Sequence, residues 1–367
     1  MTAQRVRIAR KTIEAQDICS FDLVAAEGGG LAPFSAGAHV DLQLDGGLVR
    51  RYSLCNDPRE RHRYLIAVLR EPASRGGSAA MHTLREGQEI ELSAPRNHFA
   101  LARDARSHLL LAGGISITPM LAMAEQLAAE GADFEMHYCT RSADRTAFTQ
   151  RLRAASFAPR VRFRHDDGPA AQKLDIPALI MQPRPGAQLY VCGPAGFMDT
   201  VLSAARPAGW PESTLHREYF AGPATSTGGD GAFDVQLASS GALIRVAADQ
   251  SVVAALAAAG VQVPVSCEQG VCGTCMTRVL DGRPEHRDLF LTDAERARAA
   301  TASHRAVRAR VHRGSCSTSN PSPSEDPHHV PLFPHQLRLE PLGRSRHRDG
   351  RAHRRDRGDV RPAAGGR

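Results

Sequence analysis

No run of apolar residues in the 367-residue chain approaches the ~18 that a membrane-spanning helix needs. The N-terminus, MTAQRVRIARKTIEAQD, also lacks the apolar core of a secretory signal. Eight cysteines (19, 55, 139, 192, 267, 272, 275 and 316) are too sparse and unevenly placed for a disulfide framework, which points to a reducing compartment. These absences predict a soluble cytoplasmic protein with no membrane partner. The sequence has no internal repeat, and no convincing nucleophilic triad, general acid or metal-hydroxide site can be picked out of it.

Lysine is missing altogether from residues 299–367, where 14 arginines face 6 acidic residues. The rest of the chain is nearly neutral, so the net charge of +7 and the pI of 9.2 belong to this tail. Leu, Ile, Val and Phe make up only 9 of its 69 residues, a composition that predicts disorder. RSRHRDGRAHRRDRGD could be read as a nucleic-acid patch, but no aromatic residue interleaves with its arginines, and no nucleic-acid partner is expected.

Three blocks precede the tail. Residues 1–102 hold short strand-like runs (HVDLQLDG, RYSLCN, RYLIAVLRE, EIELSAP) between Gly, Pro and Asp turns, which predicts a small antiparallel β-barrel. Residues 103–222 alternate strand and helix, from SHLLLAG to FMDTVLSAARPAG, which predicts an α/β domain with a parallel sheet. Residues 223–231 have linker composition. Residues 232–298 open with a hairpin pattern, FDVQLASSGALIRVAA, continue in the short helix SVVAALAAAG and end in a cysteine loop.

Within the first block, RRYSLCN puts Arg50 and Tyr52 on one face of a strand and Ser53 on the other, unless the strand bends. The turn Gly76-Gly77-Ser78 opens a helix and offers backbone N–H groups to a phosphate. An ordinary strand followed by a capped helix would give the same pattern. In the second block, LLLAGGISITPMLAMAEQL reads as a buried strand, a Gly113-Gly114 turn and a helix. Thr118 is placed to cap that helix, Pro119 to occupy its first position and Gly131 to stop it. A glycine pair there admits a dinucleotide pyrophosphate, although it is not the G-x-G-x-x-G fingerprint. Cys192-Gly193-Pro194 ends a second strand at the same sheet edge; a small buried filler is the alternative reading of Cys192.

The third block carries the most specific spacing. CEQGVCGTC places Cys267, Cys272 and Cys275 as C-x4-C-x2-C, the opening of a plant-type [2Fe–2S] loop, which takes four thiolates. Gly270 and Gly273 let the loop backbone fold over a cluster. Zinc is the competing reading, but its sites favour paired C-x2-C knuckles. Cys19, Cys55 and Cys139 sit in strand-like runs and are expected in the core.

The set as a whole resembles the phthalate dioxygenase reductase family. The likeness covers about residues 3–298 and rests on R-x-Y-S, the Gly-Gly-Ser turn, G-G-I-x-I-T-P, C-G-P, and C-E-x-G-x-C-G-x-C followed by EHRDLFLTDAER. It implies a flavin-binding barrel, a ferredoxin-reductase-like nucleotide domain and a C-terminal α+β plant-type ferredoxin domain. It further implies an NADH-dependent oxidoreductase passing electrons through FMN, with FAD as the alternative flavin, and a [2Fe–2S] cluster to a Rieske-type oxygenase, as a monomer. By the same resemblance Arg50 and Gly76-Gly77-Ser78 hold the FMN phosphate, and Tyr52 and Ser53 line the isoalloxazine. Gly113, Gly114, Thr118 and Pro119 bind NADH, and Cys192-Gly193-Pro194 lie near the nicotinamide. Ser53 and Cys192 are the expected catalytic positions, and Phe220 covers the flavin. Ser116 departs from the glycine usual in that loop; a positive φ there would strain it.

The fourth cysteine is missing where the family has it, in a segment like FTPCCSRA ahead of a final LVLDL. This chain instead reads TASHRAVRARVHRGSCSTSN, with His304 near the expected position and Cys316 beyond it. Back-translated and read from the third base, that stretch permits R-F-T-P-C-C-S-R-A-R-S-P-R-L-V-L-D-L followed by a stop. A frameshift near Ala299–Ala300 is the reading this supports, with residues 299–367 non-native. A genuine basic tail is the alternative, as is a flavin reductase whose ferredoxin-like part serves only for interaction.

Overall fold

The computed structural model describes residues 4–72, 74, 76–220, 231–266, 269–271, 273–281, 284–289, 291, 296, 301–303, 307–309 and 336–340. Its first unit is an antiparallel, barrel-like sheet: β1 (Gln4–Ala15), β2 (Ile18–Ala25), β3 (Ala38–Leu44), β4 (Leu48–Ser53), β5 (Tyr64–Leu69), β6 (Glu89–Leu92) and β7 (Arg96–Asn97), with α1 (Gly77–Thr83) between β5 and β6. The strand order is β4-β3-β6-β1-β2-β5, with β7 on β3. Alternate residues point inward, so Val6 and Ile8, Phe21 and Leu23, Val40 and Leu42, and Ile66 and Val68 form one buried core.

The second unit comprises β8 (Ser107–Gly113), α2 (Ile117–Ala129), β9 (Phe134–Thr140), α3 (Thr149–Ala154), β10 (Val161–His165), α4 (Ile176–Ile180), β11 (Ala187–Cys192), α5 (Ala195–Ala205) and β12 (Leu215–Glu218). Its five strands are all parallel, in the order β10-β9-β8-β11-β12. The chain runs outward one way from β8 and then the other way from β11, so the order reverses between these two strands. Ligands of open α/β sheets bind in the crevice at such a switch point. Helix α2 packs nearly its whole length into the core, from Ile117 to Leu127, and Gly131 ends it at φ +66°. Its start differs from expectation. Ser116, not Thr118, takes the N-cap position, and the Thr118 hydroxyl donates to the Ile115 carbonyl from inside the first turn. A 3₁₀ turn over Gly114–Ser116 advances the helix start, which is the reason.

The third unit begins with β13 (Phe233–Leu237), β14 (Leu243–Val246) and α6 (Val252–Ala258), whose N-cap Ser251 accepts from the Ala254 amide. It continues with β15 (Met276–Asp281), β16 (Pro284–His286), β17 (Thr301–Ser303), β18 (Val307–Ala309) and β19 (Gln336–Glu340). Three of these strands come from residues 299–367, for which composition predicts disorder. β19 lies between β13 and β15, antiparallel to the first and parallel to the second. A disordered tail would leave that position unfilled. QLRLE has the alternation of a strand, and its register sets Leu337 opposite Leu237 and Leu339 opposite Val235, both core residues. No helix among the described residues is long and apolar enough to cross a membrane.

Candidate active site

A cavity of about 500 Å³ opens where the three units meet. From β4 it takes Arg50, Arg51, Tyr52 and Ser53 together. Arg50 and Tyr52, from one face of the strand, and Arg51 and Ser53, from the other, all line the cavity. Gly77 and Ser78 come from α1, Thr118 from α2 and Phe220 from just beyond β12. Seven of the residues singled out from sequence thus converge on one space, drawn from four separated segments.

Local geometry explains the glycines. Gly76 has φ +88°, a conformation favouring glycine. The Arg50 side chain crosses directly over Gly77, where an added Cβ would lie 2.4 Å from Arg50 Nε. Arg50 Nη1 donates to the Val49 carbonyl at 2.8 Å, which holds the guanidinium beside the start of α1. A cation and the amides of a Gly-Gly turn thereby share one wall, a donor set that suits a phosphate. The Ser78 hydroxyl is engaged in the turn itself, accepting from the Glu71 amide and donating to Ser74 Oγ.

The switch point forms a neighbouring crevice. An added Cβ on Gly113 would lie 2.9 Å from Pro194 Cδ, and one on Gly193 would lie 2.6 Å from the Phe197 ring. These two glycines allow the ends of β8 and β11 to close on each other. Gly114 differs: at φ +60° it has open space around its Cβ direction, so a ligand can approach its backbone. Pro119 is buried within α2 and Pro194 caps α5. Cys192 is wholly buried and does not line the cavity; burial pushes its thiol well up, Glu218 adds to the rise, and a hydrogen bond with Ser116 opposes both. Ser116 has φ −71°, so the strain anticipated there does not exist, and replacing it with glycine has no strain to relieve.

Sequence reasoning missed Glu218. It ends β12 in register with Cys192, is half-buried, and lines the cavity. Ser53 Oγ donates to its Oε2 at 3.5 Å. Burial raises the Glu218 carboxyl to about 7, against the lowering effects of Arg51 and the Ser53 hydroxyl. Between the ordinary carboxyl range and pH 7 the folded apoprotein therefore keeps a proton that the unfolded chain has lost, and stability falls as pH rises through that window. Glu218→Gln should abolish this slope. Urea unfolding at pH 5 and pH 8 measures it, with an expected difference of about 1–2 kcal/mol between parent and variant. Parallel slopes would show that Glu218 titrates normally.

The cysteine loop forms another wall of the cavity through Gln269 and Val271, with Leu289 behind them. The Leu289 amide donates to the Gly270 carbonyl at 3.0 Å. Gly270 and Gly273 have φ +73° and +69°, as a loop folded over a cluster requires, and Cys275 is buried. Cys267, Cys272 and Cys316 lie outside the described residues, among which no group of three His, Cys, Asp or Glu gathers as a metal site.

Comparison with known proteins follows this geometry. Residues 235–306 match the 2Fe-2S iron-sulfur cluster binding domain, and residues 89–215 the N-terminal domain of dimethylamine monooxygenase subunit DmmA-like proteins. Vanillate O-demethylase oxidoreductase of Pseudomonas sp. (strain HR199 / DSM 7063) is 53% identical over 294 residues, covering 80% of this chain and 93% of the relative. Phthalate dioxygenase reductase of Burkholderia cepacia is 41% identical over 294 residues, covering 80% and 91%. A solved structure of phthalate dioxygenase reductase, described as modular for electron transfer from pyridine nucleotides to [2Fe-2S], superposes with a TM-score of 0.67 at 37% identity. That match covers 92% of this chain and 98% of the other.

Proposed function

The chain belongs to the phthalate dioxygenase reductase family, and from that premise we propose that it is the NADH-dependent reductase component of an oxygenase system. Electrons pass from NADH through FMN to a [2Fe–2S] centre and on to the oxygenase. One observation carries the reading: the cavity takes its walls from the barrel, the nucleotide-binding unit and the cysteine loop at once.

FMN, when bound, supplies the step between a two-electron donor and a one-electron acceptor. The chain's own residues bind and orient. Arg50 and the Gly76–Ser78 turn would hold the phosphate. Tyr52 and Ser53 would line the ring system, and Phe220, 39% exposed in the structure, would cover it. Gly113, Gly114 and the start of α2 would hold the dinucleotide, and Cys192-Gly193-Pro194 would shape the floor near the nicotinamide. Cys192 acts there by packing, because its buried neutral thiol presents no nucleophile. Cys267, Cys272 and Cys275 are the thiolate donors of the cluster loop.

The partner is a Rieske-type oxygenase or demethylase, with vanillate as the substrate class suggested by the relatives, and the reductase works as a cytoplasmic monomer. The last 69 residues are proposed to derive from a shifted reading frame. Supporting this, the relative from Pseudomonas aligns over only 80% of this chain while covering 93% of its own length.

The purified chain loaded with FMN should bleach its flavin absorbance on addition of NADH and reduce ferricyanide with turnover. A holo-flavoprotein that stays oxidised under NADH would refute the assignment of the first two units.

A further inference from the structure

Asp41, on β3, is a buried carboxylate that no binding role described above uses. Across the antiparallel pair it faces Arg51 of β4, the strand that carries Arg50, Tyr52 and Ser53. Arg51 Nε lies 3.2 Å from Asp41 Oδ1, and Arg96 pairs with Oδ2. His39, two positions away, does not compete as a cation: burial, reinforced by Arg51, His98 and Arg96, lowers its imidazole to about 2.

Two further hydrogen bonds leave this pair and cross to the third unit. Ser266 Oγ donates to Asp41 Oδ1 at 3.3 Å, and Arg51 Nη2 donates to Thr274 Oγ1 at 2.9 Å. Ser266 immediately precedes Cys267, and Thr274 immediately precedes Cys275. The two hydroxyls are thus the residues flanking the first and last cysteines of the C-x4-C-x2-C loop on their N-terminal sides. Ser266 is almost completely buried, as is Asp41, so the contact is shielded from water and each bond counts for more than it would at a surface.

We propose that the Asp41–Arg51 pair of the barrel clamps the cysteine loop at both ends through Ser266 and Thr274, and so sets the position of the cluster relative to the flavin. These four are positioning residues; none need touch substrate. The inference rests on the reading of the chain as a flavin-to-cluster reductase, in which small displacements between two redox centres matter greatly for transfer. Its physical content is that the loop is held by the flavin-binding strand's own neighbours rather than only by the sheet from which it emerges. The same attachment explains why Gln269 and Val271 remain on the cavity wall.

Hydrogen–deuterium exchange on the full-length FMN-loaded chain tests this without depending on cluster content. In a Ser266→Ala/Thr274→Val double variant, amides of residues 270–276 should exchange at least tenfold faster, while β3 and β4 keep parental rates. Thr274→Ser, which keeps the hydroxyl, should preserve parental exchange. Asp41→Asn should accelerate the same loop from the barrel side. NADH–ferricyanide activity should stay within twofold of the parent in the two loop-side variants. Unchanged loop exchange in the double variant overturns the clamp, as does acceleration spread evenly through the barrel. A parent that fails to bleach under NADH would sink the proposed function, while the exchange comparison would still decide the clamp.

Discussion

Reconstituted with iron and sulfide, the 367-residue chain should hold little or no [2Fe–2S] and give no oxygenase-coupled turnover, while binding FMN normally. The loop carries three cysteines, and the next sulfur, Cys316, lies 41 positions beyond Cys275. Distance alone is not the obstacle, since loop-closure entropy grows slowly and the longer loop costs only a few tenths of a kcal/mol. A missing strand is not the obstacle either, because Gln336–Glu340 occupies the place between β13 and β15. What the tail fails to present is a ligand in the local setting that follows a family-type EHRDLFLTDAER segment. His304 is a poor substitute, because Rieske centres replace two cysteines on one iron, not one. The frame-restored chain, ending near residue 318 in RFTPCCSRARSPRLVLDL, should assemble the cluster fully and support turnover. EPR of the two reduced proteins makes the comparison. Full occupancy in the 367-residue chain would make Cys316 a genuine ligand and end the frameshift proposal.

Arg50→Ala should weaken FMN binding by about 100-fold, as expected for losing a charge-assisted contact to phosphate worth about 1.5–3 kcal/mol. Gly77→Ala should act on the same contact indirectly. Its Cβ would lie within 2.4–2.7 Å of Arg50 Nε, Cγ and Cδ, so the arginine must swing aside; a loss of about tenfold is expected. Flavin fluorescence titration of the apoproteins measures both. Riboflavin, which lacks the phosphate, provides the control: neither substitution should change its affinity much. An equal loss for riboflavin would mean that Arg50 supports the cavity wall rather than the phosphate.

Much of the architecture was legible from local pattern. Short strand-like runs between Gly, Pro and Asp turns marked the barrel, and alternation of strand and helix marked the parallel sheet. Gly131 was readable as a helix stop because a left-handed residue just past a helix is a local requirement. The Gly-Gly turns and the cysteine spacing were legible for a similar reason, since each is a short segment whose chemistry depends on its own backbone. The start of α2 was misplaced because a 3₁₀ turn tightened the entry and shifted the cap to Ser116.

Sequence by itself therefore determined the order of units, the positions of the Gly-Gly turns, and the spacing of the cysteine loop. Only tertiary structure decided which side chains share a space. Glu218 looks like an ordinary strand residue until the register of β11 and β12 sets it beside Cys192, and folding brings it to Ser53, 165 positions away. The Asp41–Arg51 pair is a routine cross-strand contact until Ser266 and Thr274 arrive from more than two hundred residues downstream. Tail residues 336–340 read as part of a charged extension until the unfilled place between β13 and β15 gives their alternation a sheet to join. The physical reason is the same in all three cases. Periodicity and turn chemistry report on neighbours within one element, whereas the burial of a charge and the partner that satisfies it depend on segments meeting across the fold.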